Sequence, residues 1–253
     1  MGRKGIQTIQ RRMSKVIICT CSPTFNQYKD YWDSVDFDFE FLSDRAPIGI
    51  EYNEQMVRTA LNFKGDVSKD NWWNQHGNKN IIWFYAHLRM AYYYTLNPNE
   101  DWYWFLDDDL ECNNWTGFFE AFKDNDADFI SYYVFKERTV KSQLNIPCID
   151  TSTHSGNEWF KRFPGPGDKI DTNLESFGSF FPIVRYSNAS LKHLVELLKK
   201  DIHGYSEGFV PTQLNADGFK LDTIFNNKSK SDHFDINKID IKHKNITVEW
   251  SWI

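Results

Sequence analysis

The chain has 253 residues, 41% hydrophobic and 25% charged, with a net charge of −6. That length suits one α/β domain with a real core, and the acidic balance argues against a nucleic-acid binder built on a basic face. Aromatic residues reach 17%, which predicts a large aromatic core with a few rings left to stack on the flat C–H faces of sugars.

Residues 1–14 are basic and lack a long apolar run, so they are expected to form a flexible leader and not a secretory signal. Residues 15–253 are expected to form the folded domain. KVIICT at 15–20 predicts a buried first strand, closed by Ser22-Pro23-Thr24. Cys19 and Cys21 fall on one face of that strand. With Cys112 and Cys148 they form no paired CxxC array, so buried free thiols in a reducing, cytoplasmic setting are expected, with peripheral membrane association left open. No stretch approaches the roughly 18–20 apolar residues of a membrane span.

A short helix is expected over 27–34, a second strand over 37–42 (FDFEFL), and a helix over 53–61. Residues 64–78 are polar and read as a loop over a site. The apolar run 80–96 predicts a buried helix, stopped by Asn97-Pro98-Asn99. Strands follow at 102–106 and 128–135 around a short helix at 117–122. Residues 139–171 carry the turn PGPGD and read as a variable loop. A strand is expected at 178–185, then a helix over 187–200 capped by Ser187 or Asn188, with Leu191, Leu194, Val195 and Leu198 on one face. A loop at 204–207 precedes a short helix near 211–216, and the end, NITVEWSWI, reads as a strand. Strands that alternate with helices predict a mainly parallel sheet with helices on its faces. Ligands of such sheets sit at the carboxyl ends of the strands.

WYWFLDDDLE at 102–111 drives an apolar strand into three aspartates. Like charges repel, so either the strand opens into a solvated turn or the aspartates await a cation. Asp107 and Asp109 would share a face about 7 Å apart if the extended backbone persists. One carboxylate could then bind Mg²⁺ or Mn²⁺ shared with substrate phosphates.

An apolar strand ending in FLDDD resembles the DxD motif of GT-A fold, nucleotide-sugar-dependent glycosyltransferases. KVIICTCSPTFN and FEFLSD resemble that family's first two strands, and the likeness covers about residues 15–135. It implies an α/β, GT-A type, Rossmann-like sheet. Residues 15–135 would take the nucleotide-sugar, UDP-linked, and residues 136–253 would take a glycan or other hydroxyl acceptor. Carried over, Asp109 is the metal ligand, Asp107 a metal or donor contact, and Asp108 either. Asp44 meets the nucleoside or simply closes its strand. Thr20, Ser22 and Thr24 line the base pocket, and Lys79 and Arg89 are donor contacts or plain surface and helix-flank charges.

Inverting members need a base for the acceptor hydroxyl, and Glu207 in HGYSEGFVP is the candidate; its alternative is a helix N-terminal charge. His203 and Tyr205 would contact the acceptor or pack. Phe180 and Phe181 would offer stacking surfaces. Retaining members add a histidine ligand, for which His233 and His243 are available. Two rivals stand beside this reading: a Mg²⁺-dependent nucleotidyltransferase, disfavoured because SPTFNQYK lacks a glycine-rich loop, and a noncatalytic carbohydrate-binding protein.

Overall fold

The computed structural model describes residues 14–20, 25–44, 48–65, 85–139, 169–171, 173–226 and 230–243. Cys21, Ser22, Thr24, Lys79 and Cys148 lie outside these residues, as do most of the loop 64–78, the turn PGPGD and the terminal NITVEWSWI.

The first element is β1 (Ser14–Thr20), followed by α1 (Phe25–Asp33), β2 (Glu40–Ser43), β3 (Ile50–Glu51), α2 (Glu54–Leu61) and α3 (Ala86–Leu96). Then come β4 (Trp102–Asp107), β5 (Leu110–Cys112), α4 (Trp115–Ala121), β6 (Phe129–Thr139) and β7 (Glu175–Ser187). The chain continues through α5 (Asn188–Lys199), α6 (Ser206–Ala216), β8 (Leu221–Thr223) and β9 (Ile241–His243).

Seven strands form one sheet in the order β3-β2-β1-β4-β7-β6-β8, and β5 pairs with β9 in a second, two-stranded sheet. Strands β2 and β4 run parallel to β1, β3 runs parallel to β2, and β8 parallel to β6. Strand β7 alone runs against its neighbours β4 and β6. The mixed α/β architecture with a mostly parallel sheet is therefore present.

The central strands are apolar on both faces because both faces are covered. Alternation divides one strand between two cores. Ile17, Cys19, Tyr103 and Phe105 enter the core shared with α2, α3, α5 and α6, while Val16, Ile18, Trp104 and Leu106 enter the core beside α1 and α4. The aromatic excess is largely spent here: Trp32 stacks on Trp115 at 5.7 Å, and Trp104 meets Phe118, Phe119 and Phe122 edge-on.

Four expectations need correction. Residues 37–39 alternate like a strand, but pairing with β1 begins at Glu40, opposite Ile17. Phe37 and Phe39 instead turn their rings onto Trp32. Strand β7 is longer than 178–185, running from 175 to 187. Helix α3 starts at Ala86, and the earlier part of the expected run lies outside the described residues. Helix α6 starts at Ser206, with Pro211 inside it. A proline in a helix removes a bond to the carbonyl four residues back, here that of Glu207. Ser179 Oγ takes over that carbonyl at 3.0 Å. The pairs β3–β2, β5–β9 and β6–β8 carry too few residues to show as periodicity.

Caps follow the sequence more closely. Asn53 accepts the N–H of Met56 at the start of α2, and Ser187 accepts that of Ser190 at the start of α5. Cys19 and Cys112 are buried free thiols. Among the described residues no helix is long and apolar enough to cross a membrane.

Arg185 is buried on β7. Its guanidinium lies 4.0 Å from the Trp102 ring centre and donates to the carbonyls of Phe122, Asn125 and Ala127 at 3.0, 2.9 and 2.9 Å. These contacts fasten the turn after α4 to the sheet. Arg185→Met is expected to lower stability by roughly 3 kcal/mol, because charge-assisted bonds are lost and carbonyls are left buried. Chemical denaturation would show a lower midpoint at unchanged slope; a change below about 1 kcal/mol would contradict this role.

Candidate active site

Strand β1 has β2 on one side and β4 on the other, so the chain departs in opposite directions from the carboxyl ends of β1 and β4. That divergence opens a crevice where α/β sheets bind ligands. The register sets Asp107 opposite Cys19, so the three aspartates emerge at this point.

Each aspartate has a different setting. Asp108 is buried and ties the turn back to β1. Its N–H donates to the Cys19 carbonyl at 3.2 Å, its Oδ2 accepts from Thr20 Oγ1 at 2.6 Å, and its carbonyl accepts from Trp32 Nε1 at 2.7 Å. Asp107 Oδ1 accepts from Arg89 Nη2 at 3.1 Å. The Arg89 side chain is 4% exposed, against 34% for Asp107, so the pair spans from core to rim. Arg89 is buried within the first turn of α3, not the surface or helix-flank charge expected of it. Burial works against its cation, but Cys19, Tyr52 and Asp107 around it raise its pKa overall and keep it charged. Burial raises the Asp107 carboxyl and Asp109 and Asp108 add to the rise, while Arg89 pulls the other way; with a third of the side chain in solvent and a permanent cation beside it, Asp107 meets Arg89 as a carboxylate. Asp109 is buried at the turn. Asp44 directly follows β2, whose Ser43 pairs with Thr20, and so stands half-buried at the same rim.

Among the described residues no three His, Cys, Asp or Glu side chains converge as a ready metal cage. A hard divalent cation does not require one, since it commonly takes one or two carboxylates plus substrate phosphates. The mutual repulsion evident at Asp107 is what such an ion would relieve. With Asp108 engaged by Thr20, the residues suited to hold it are Asp109 and Asp107. Of the histidines considered as ligands, His233 is committed elsewhere. Its Nε2 lies 3.1 Å from the Thr223 carbonyl and 3.2 Å from Asp222, and its ring packs on Phe122. Residue 243 ends β9, paired in register with Leu110, next to Asp109.

The second half of the site comes from β7 and α6. Ile183 pairs with Leu106, so Phe181 stands two residues further toward the aspartate rim. Pairing with β6 is irregular here: Ser131 faces Val184 and Tyr133 faces Phe180, so three residues oppose one. In this bulge the Phe181 N–H donates to Glu207 Oε1 at 3.3 Å, and the Tyr205 hydroxyl donates to Glu207 Oε2. Burial raises the Glu207 carboxyl to about 7 despite both bonds.

Tyr205 thus serves Glu207 directly. Phe180 is half-buried, edge-on to Tyr132 at 5.7 Å, whereas Phe181 lies in the core against Phe129. A buried ring offers no face for stacking, so Phe181 packs in the core and is not the platform expected. His203 is fully buried against Phe63 and Tyr85. A Cβ on Gly65 would come within 2.5 Å of its Nε2. Burial lowers its pKa and keeps it neutral. Its position is a packing one, not a surface for an acceptor.

Sequence reading passed over His87 and Ser206, both fully buried, which meet at 2.8 Å between Nδ1 and Oγ. Burial, then nearby His203, holds the His87 pKa down at about 3. The available signal was a histidine and an arginine two residues apart inside an otherwise apolar helix. No protein-family model matches the chain, and no curated protein matches it significantly.

Glu207 titrates above a free carboxyl, so folding disfavours its ionised form and its contribution to stability is lost as pH rises through about 7. His87 and His203 titrate below free imidazole, so their contribution grows with pH only up to the ordinary 6.5. Melting temperature without divalent cations is therefore expected to fall from about pH 6.5 to about 7.5. The fall should shrink in Glu207→Gln; an equal slope in the two proteins would count against it.

Proposed function

We propose that the chain is a metal-dependent glycosyltransferase of the GT-A type, moving a sugar from a nucleotide-sugar, with UDP-sugars as first candidates, to an acceptor hydroxyl. The observation that carries this reading is the aspartate triad at the crevice between β1 and β4, with Asp107 held by buried Arg89 and Asp108 by Thr20. The parallel half of the sheet supports a donor side, and antiparallel β7 with α6 supports an acceptor side.

In this reading Mn²⁺ or Mg²⁺, held by Asp109 and Asp107 together with the donor phosphates, would neutralise the departing diphosphate. Arg89 fixes the direction of the Asp107 carboxylate, and Thr20 fixes that of Asp108. Asp44 would meet the nucleoside. Glu207 takes the proton from the acceptor hydroxyl as its oxygen bonds to the anomeric carbon and the diphosphate leaves with the electron pair of the broken bond. A carboxyl near 7 is matched to that task at neutral pH. Direct displacement of this kind inverts the anomeric centre.

A thermal-shift screen of UDP-sugars with and without Mn²⁺ would identify the donor, because a ligand that binds the folded state raises the melting temperature. Asp109→Ala is expected to abolish Mn²⁺-dependent donor hydrolysis and transfer. Glu207→Gln should bind donor normally and lose transfer. Release of pyrophosphate in place of a nucleoside diphosphate would replace this reading with nucleotidyl transfer. Sugar binding indifferent to nucleotide and Mn²⁺ would replace it with simple carbohydrate binding.

A further inference from the structure

The polar side chains on the first turn of α3 face two ways. Arg89 reaches Asp107 at the end of β4, while His87 reaches Ser206 at the start of α6. Ser206 Oγ meets His87 twice, at 2.8 Å from Nδ1 and at 3.3 Å from the backbone N–H. Both residues are fully buried, so water does not compete for these bonds.

We propose that His87 and Ser206 are positioning residues, which fix the start of α6, and with it the Glu207 carboxylate, to the helix turn that holds Asp107. The proposal goes beyond the assignment of Glu207 as base but rests on that reading for its effect on turnover.

The start of α6 has specific need of such a tie. Tyr205 precedes the helix without a side-chain cap. Pro211 removes a helical bond to the Glu207 carbonyl, which is held instead by Ser179. Further along, Thr212 Oγ1 accepts the Phe177 N–H at 2.9 Å and donates to the Phe177 carbonyl at 3.1 Å. All these contacts fasten α6 to β7. The His87–Ser206 contact is of another kind, because it fastens α6 to α3, next to the residue that carries the carboxylate. Donor-side and acceptor-side carboxylates are thereby referred to one rigid helical turn. A shift of about 1 Å in a reacting group can cost about a hundredfold in rate, so a shared anchor matters most for turnover.

His87 remains neutral across the working range of pH, since burial and then His203 depress its pKa to about 3. The anchor therefore does not itself switch with pH.

The test uses the full chain and three variants: Ser206→Ala, His87→Leu and His87→Asn, the last keeping a polar group near the place of Nδ1. Two quantities are read. One is the titration midpoint of the Glu207 carboxyl by carbon-13 NMR, assigned with Glu207→Gln. The other is kcat and donor KM for transfer from the UDP-sugar chosen by the thermal-shift screen, with Mn²⁺. In Ser206→Ala and His87→Leu the midpoint is expected to fall from near 7 toward the ordinary 4.5 as water reaches the carboxyl. Their kcat should fall about tenfold to a hundredfold, with donor KM changed by less than about twofold, and His87→Asn should recover most of both. An unchanged midpoint and kcat in the first two variants would overturn the proposal, as would a higher donor KM at unchanged kcat. A wild-type protein that transfers no sugar, yet whose midpoint falls in Ser206→Ala and His87→Leu and recovers in His87→Asn, would uphold the anchor and remove the transferase reading.

Discussion

A permanent cation sealed beneath the sheet rim is the constraint on which the site depends. Arg89 cannot shed its charge, and burying it unpaired would be costly. Asp107 answers it from the end of β4 at 3.1 Å, and Cys19 and Tyr52 lie close by. The pair fixes the direction in which the first aspartate points. It also lets the chain place three carboxylates in sequence at the edge of an apolar core, because one of the three is partly neutralised from below. The second is buried against a threonine hydroxyl and a tryptophan N–H. The local cost of the charge cluster is thus met by specific partners from β1, α1 and α3.

Glu207 depends on a comparable chain of compensation. A proline breaks the hydrogen-bond ladder of α6, a serine from β7 occupies the carbonyl left behind, and a bulge in β7 turns a backbone N–H toward the Glu207 carboxylate. Each departure from regular structure is matched by a side chain that absorbs it. Local irregularity of this sort gathers at sites where a group must be held in one orientation. The carboxyl that results is half-buried, bonded on both oxygens and raised in pKa.

The features legible in the sequence are those encoded by neighbours along the chain. Apolar runs marked β1, β4 and the later part of α3, and Ser187 marked the start of α5 as its cap. FLDDD marked the rim. Harder to read were features whose cause lies elsewhere in the chain. Phe37 and Phe39 alternate like strand residues but are drawn into a ring cluster around Trp32. Pro211 reads as a helix start, yet it sits within α6 because Ser179, 32 residues earlier, satisfies the carbonyl it orphans. Phe181 reads as a surface for stacking, yet its neighbour Phe129 takes it into the core.

The sequence by itself determined that this is an α/β chain with an apolar strand ending in three aspartates and with Glu207 near the start of a helix. These are properties of spacing and polarity within a few residues. Only the tertiary structure decided which aspartate meets which partner. Arg89 lies 18 residues from Asp107 and Thr20 lies 88 from Asp108, and no local pattern links either pair. The same holds for His87 and Ser206, 119 residues apart. Such contacts arise because the crossover from β1 to β2 and back to β4 sets distant segments side by side, and burial then forces each polar group to take the partner within reach.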